Sequence, residues 1–105
     1  MLAALTLITV STTLQAGTWS AWQPCGNEVS VSVTQVTHDT WTWKFRNDGS
    51  TTITHLDFTY TDSQGTHNDV MPVNLKPGEV FGGWAAFTSS SWPIIQLKTI
   101  KRANY

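Results

Sequence analysis

The chain has 105 residues, a single cysteine and a formal net charge of -1, and 12% of its residues are charged where ordinary globular chains carry about 25%. That length suits one domain, and so even a balance gives neither a nucleic acid nor an anionic membrane the clustered Lys and Arg that it binds. The one basic cluster is Lys98, Lys101 and Arg102, while six Trp and abundant Ser and Thr favour strands.

Met1 to Val10 is almost wholly apolar or Thr, Ser11 to Gln15 is polar, and Ala16-Gly17 offers small residues for cleavage. Residues 1–16 therefore read as a signal peptide and 17–105 as a single β-sandwich domain, which places the protein outside the cell or in a periplasm. A membrane helix needs roughly 20 apolar residues, and no later segment supplies them, so no membrane span is expected. Cys25 has no second cysteine to pair with in the chain. It is read as a buried or partly buried thiol, since free cysteine is among the most buried residue types.

Seven short strands follow. Trp19 to Gln23 is the first, ended by Pro24. Glu28 to Val36 sets Val29, Val31 and Val33 on one face and Ser30, Ser32 and Thr34 on the other. Asp39 to Asn47 sets Trp41, Trp43 and Phe45 against Thr40, Thr42, Lys44 and Arg46, a period of two that marks one face as core. Asp48-Gly49 predicts a type I′ hairpin. Its register would place Trp43 beside Thr54 and Trp41 beside Leu56, carrying the aromatic face on to Phe58 and Tyr60. The solvent face would then hold Ile53, Asp57 and a Thr array (Thr40, Thr42, Thr51 and Thr59) around His55.

Asp62 to Gly65 is the next turn. In the fifth strand, Thr66 to Leu75, Pro72 argues for a sheet edge or a bulge. Lys76-Pro77-Gly78-Glu79 fits a type II turn, and Glu79 to Phe87 and Pro93 to Arg102 complete the set. Seven strands at this spacing predict an all-β, immunoglobulin-like or fibronectin-like antiparallel sandwich.

Two resemblances are carried by short motifs. Trp19-Ser20-Ala21-Trp22-Gln23-Pro24-Cys25-Gly26 resembles the opening of a thrombospondin type 1 repeat over eight residues, but the further cysteines and stacked Arg of that family are missing, which excludes it. Phe45-Arg46-Asn47-Asp48-Gly49-Ser50 and Leu75-Lys76-Pro77-Gly78-Glu79, with Trp84 on the next strand, resemble the CARDB-like sandwich domains of bacterial surface and secreted proteins. That resemblance spans about the last two-thirds of the chain. It implies an accessory or adhesion module without catalytic residues.

The Trp residues carry the functional expectation, because sugar rings stack on exposed aromatic faces. Trp41 and Trp43 alternate with polar residues and belong to the core. Trp84 (after Gly82-Gly83), Trp92 (at a loop edge), Trp19 and Trp22 are the candidate ligand-binding residues, packing at a core edge being the alternative for each. Small neighbours beside Trp84 would let a ligand approach closely. His55-x-Asp57 and His67-x-Asp69 place possible zinc ligands on strands but assemble no full ligand set, so no metal or other cofactor is expected. No nucleophile elbow, phosphate loop or zinc-protease motif is present, and a Cys25–His pair would need a pocket that a small sandwich rarely encloses, so the chain is not read as an enzyme. The expected partner is a polysaccharide or other cell-surface polymer. The alternative is a structural or adhesion module that assembles with itself or with another protein through an open strand edge, Pro72 marking one edge and residues 93–102 another.

Overall fold

The computed structural model describes residues 18–88 and 91–103; the proposed signal peptide lies outside them. Within them the chain is all-β with no helix. Its strands are β1 (Gln23–Pro24), β2 (Val29–Thr37), β3 (Thr40–Asn47), β4 (Ile53–Asp62), β5 (Gly65–Leu75), β6 (Val80–Gly82), β7 (Ala86–Phe87) and β8 (Ile94–Arg102). They form two antiparallel sheets, one in the order β1-β2-β3-β6 with β7 also on β3, the other β5-β4-β8. The sheets pack face to face as a β-sandwich.

The alternating apolar residues close the interior. Val29, Val31 and Val33 of β2 and Trp41, Trp43 and Phe45 of β3 meet Ile53, Leu56 and Phe58 of β4. Phe45 and Phe58 cross between sheets edge to face, with centroids 5.0 Å apart. Fully burying a side chain such as Phe58 removes it from water at a gain of about 1.5–3 kcal/mol, so these strands hold the fold.

The expected pairing of β3 with β4 is overturned: β3 pairs β2, and β4 pairs β5 and β8. Trp41 and Trp43 do share the core with Leu56 and Phe58, but across the interior rather than side by side. Neither Asp48 nor Gly49 takes the positive φ that a type I′ turn needs, and the segment crosses from one sheet to the other. A Cβ on Gly49 would lie 2.6 Å from Nη1 of Arg102, so any other residue here must displace that guanidinium, which comes from the far end of the chain. The Thr array is divided as a result, with Thr40 and Thr42 on one sheet and Thr59 on the other.

Two bulges alter the expected faces. One between Ile53 and His55 turns Ile53, expected in solvent, fully inward. Another, opposite Asp57 and Phe58, lets Ile95, Leu97 and Ile100 all pack against the core. Pro72 does lie on an edge strand, opposite the first bulge. The Lys76–Glu79 turn closes as expected, with Gly78 at φ +83° and the Glu79 amide donating to the Lys76 carbonyl at 2.9 Å.

The expected strand from Glu79 to Phe87 is broken in two. Gly83 takes φ +129°, a conformation that L-residues avoid. A Cβ on Gly82 would lie 2.8 Å from both the Trp43 carbonyl and the Lys44 side chain. The two glycines thus bring the chain hard against β3 and let residues 83–85 leave the ladder. The strand order also differs from the immunoglobulin arrangement, in which the second strand pairs the fifth and the third lies in the opposite sheet.

Candidate functional site

The four candidate Trp residues fall in three different surroundings. Trp84 is drawn into the break between β6 and β7. Its ring stacks on Trp43 with centroids 5.6 Å apart and planes 13° from parallel, and it meets Phe45, Phe58 and Phe81 edge to face. Thr42 Oγ1 donates to its carbonyl. The glycines before it serve the chain's own packing, and one face of its indole is already occupied by the core.

Trp19 and Trp22 lie on the opposite side of the same sheet. Because Trp41, Trp43 and Phe45 point inward, Lys44 and Arg46 point outward, and they meet these two indoles. The Lys44 ammonium sits 4.0 Å from the Trp19 ring centroid and 5.4 Å from that of Trp22, and the Arg46 guanidinium 4.5 Å from Trp22. Such cation–π contacts favour aromatics held face-on to cations. Trp19 is 40% exposed and Trp22 is half-buried. The cations that meet these indoles come from β3, a contact that no local motif signalled.

The segment carrying these Trp covers part of β2. Ser20 and Thr18 receive the β2 polar face: Ser32 Oγ donates to the Ser20 carbonyl at 2.7 Å and Thr34 Oγ1 to the Thr18 carbonyl at 2.8 Å. Ser30 Oγ donates to Asp48. Ser30, Ser32 and Thr34, on the face of β2 opposite its valines, are consequently buried with their hydroxyls satisfied. Asp48 is partly desolvated, which would raise its pKa, but the bonds from Ser30 and Arg46 outweigh that and hold its carboxyl below the ordinary value.

Trp92 packs at a tilt against Trp41, with centroids 5.9 Å apart, and forms one wall of a cleft of about 300 Å³ between the β1 and β8 edges. Val31 and Val33 of β2 and Ile95 and Leu97 of β8 line its apolar part, and Cys25 and Gln23 line it as well. Cys25 is half-buried as expected, its thiol directed at the Val29 carbonyl, 3.2 Å away. Burial, reinforced by the Asp48 charge, pushes its pKa up to about 12, so the thiol is neutral and a poor nucleophile at physiological pH. Gln23 Oε1 and Trp92 Nε1 are buried without a hydrogen-bond partner among the described residues.

The histidines are brought to separate places. His55 Nδ1 is 3.1 Å from Thr54 Oγ1, whereas His67 stacks on Tyr60 and reaches Asp62 at 3.1 Å. Among the described residues no three metal-ligating side chains are grouped. The sequence reading missed Asn47 and Arg102, whose importance rests on contacts more than 25 residues apart.

No family model matches the chain, and no curated protein matches it significantly. Among solved structures it is similar to that of an RGD-containing host-selective toxin, Ptr ToxA of Pyrenophora tritici-repentis, at 19% identity, with 81% of this chain and 85% of that chain covered and a TM-score of 0.41. A likeness of that degree says nothing of what this chain does.

Proposed function

We propose that the chain is a secreted, non-catalytic β-sandwich module that binds an extracellular polymer, in the first place a carbohydrate, through edge Trp residues. With β6 and β7 counted as one interrupted strand it is a seven-stranded sandwich, immunoglobulin-like in its two layers and size, with strand pairing of its own. A kinship with CARDB-like accessory domains fits this reading.

The observation that carries it is the outward group of Trp19, Trp22, Lys44 and Arg46, one exposed and one half-buried indole held against cations of β3. A sugar ring stacks on such faces, and the cations suit a polymer bearing carboxylates. Trp84 serves this platform from the interior, and Trp92 belongs to the cleft. The test is depletion of the purified chain by insoluble cellulose, chitin and calcium alginate. Retention on one of these that Trp19→Ala or Trp22→Ala reduces at least tenfold, with melting unchanged, supports the platform; no retention on any of them moves the reading to assembly.

Assembly through a strand edge is the second reading, and β8 favours it. Among the described residues its outer edge is unpaired, and Ile94 there is 60% exposed. Unpaired edges template strand addition. Sedimentation that shows concentration-dependent association, lost in Ile94→Lys and indifferent to polymer, would support it.

A further inference from the structure

The cleft between the β1 and β8 edges differs from the polymer platform in every respect that decides a ligand's chemistry. No charged side chain lines it. Its thiol is neutral and its walls are mainly Val, Ile, Leu, Pro and indole, with the uncharged amides of Gln23 and Gln96, so a charged ligand would lose its hydration without an opposite charge to compensate. Its size, about 300 Å³, is at the lower end of small-molecule sites.

Two polar atoms of these lining residues are buried without a partner among the described residues. Gln23, itself only 8% exposed, holds an acceptor oxygen without a partner, and Trp92 holds a donor N–H without one. Buried polar groups are nearly always bonded, and an exception asks for a missing partner. Trp43 Nε1 is a third such atom and lies in the core, whereas this orphan acceptor and orphan donor belong to residues that line one cleft, Gln23 on β1 and Trp92 two residues before β8. Both are closed to water in this conformation, so a ligand can bond to them only if the two side chains turn toward the cleft.

We propose that this cleft binds a small, uncharged, mostly apolar molecule that presents a hydrogen-bond acceptor to Trp92 Nε1–H and a donor to Gln23 Oε1, the pattern of a primary carboxamide on a short hydrocarbon chain. The hydrocarbon lies against Val31, Val33, Ile95 and Leu97. The site is independent of Trp19 and Trp22, so loss of the polymer reading leaves it untouched.

Octanamide is the probe, titrated into the ¹⁵N-labelled chain and followed by the indole N–H signals in NMR, with Trp92 assigned through Trp92→Phe. The expected result is a saturable downfield shift of the Trp92 signal with Trp43, whose indole N–H is buried in the core, unmoved. Gln23→Met conserves the side chain's shape and is expected to weaken octanamide about tenfold, one hydrogen bond's worth. Methyl octanoate, which has no donor, should bind the wild type no better than octanamide binds that variant. Absence of a saturable shift up to the solubility limit overturns the proposal. So does equal affinity of octanamide for wild type and Gln23→Met, or a general shift of all the indoles, which would mark nonspecific association.

Discussion

Asn47 and Gln23 carry the same amide, and both are buried near places where the two sheets meet, but their surroundings differ in one respect. Every polar atom of Asn47 is engaged: Nδ2 donates to the carbonyls of Thr51 and Leu75, both at 2.8 Å, and Oδ1 accepts from the Gly49 amide at 2.9 Å and from Arg102 at 3.0 Å. Arg102 also donates to the carbonyls of Thr51 and Asn27. It thereby secures a turn in which Asn27 and Glu28 both hold positive φ, a conformation costly to residues with a Cβ. Asn47 is part of a weld between the sheets; Gln23, with its oxygen unpartnered, is part of an opening. The same group stabilises in the one place and costs free energy in the other, because folding rewards a buried amide only when its bonds are replaced.

The largest effect is therefore expected at the weld. Asn47→Ala leaves three backbone groups and the Arg102 guanidinium short of partners, and should lower stability by about 3–4 kcal/mol, measured by urea denaturation. Trp84→Ala, which empties the aromatic cluster beside Trp43 while removing a ring that is only half-buried, should cost about 2–4 kcal/mol and reduce the near-UV circular dichroism. If Asn47→Ala proves no more damaging than an exposed substitution, the contrast between the two amides fails.

A second joint between the sheets is sensitive to acid. The Asp62 side chain is only 1% exposed, and it accepts from the amides of Phe87 on β7 and of Gln64, at 3.0 and 2.9 Å, and from His67. Burial would raise its pKa, but these bonds together prevail and lower it from 3.8. A carboxyl whose folded pKa lies below its unfolded value contributes stability that is complete above about pH 5 and is lost as pH falls past 3.8 through the folded value. Asp62→Asn should cost about 1–2 kcal/mol at pH 7 and less at pH 2, flattening the stability curve between pH 5 and pH 2. A parallel curve would mean that other carboxylates carry the acid response.

The core was legible in the sequence because alternation in β2 and β3 is a local property: Trp41, Trp43 and Phe45 are buried as their period requires. The partners of those strands were not legible. Asp48-Gly49 has the composition of a hairpin turn, but its glycine answers to Arg102, which is 53 residues away and invisible to any local pattern. The bulges at Ile53 and Asp57 likewise depend on how β4 meets both neighbours. The pairing of Trp19 and Trp22 with Lys44 and Arg46 arises only once β1 lies beside β2. Gly49→Ala tests this long-range reading. It should displace the Arg102 guanidinium and cost about 1–2 kcal/mol, whereas a simple loop glycine with ordinary φ would gain slightly from the change.

The smallest expected effect has the opposite sign. In Gln23→Met an unpartnered oxygen is replaced by apolar atoms of nearly the same shape, so the desolvation cost of that oxygen disappears while the packing against Val31 and Pro24 persists. Stability should be unchanged or rise by up to about 1 kcal/mol, read as the urea midpoint at constant slope. A loss of 1 kcal/mol or more would mean that Gln23 makes bonds in solution comparable to those of Asn47. A gain would mean that the chain retains at this opening a polar group that its own fold does not need, a cost that a ligand donating a hydrogen bond to that oxygen would remove.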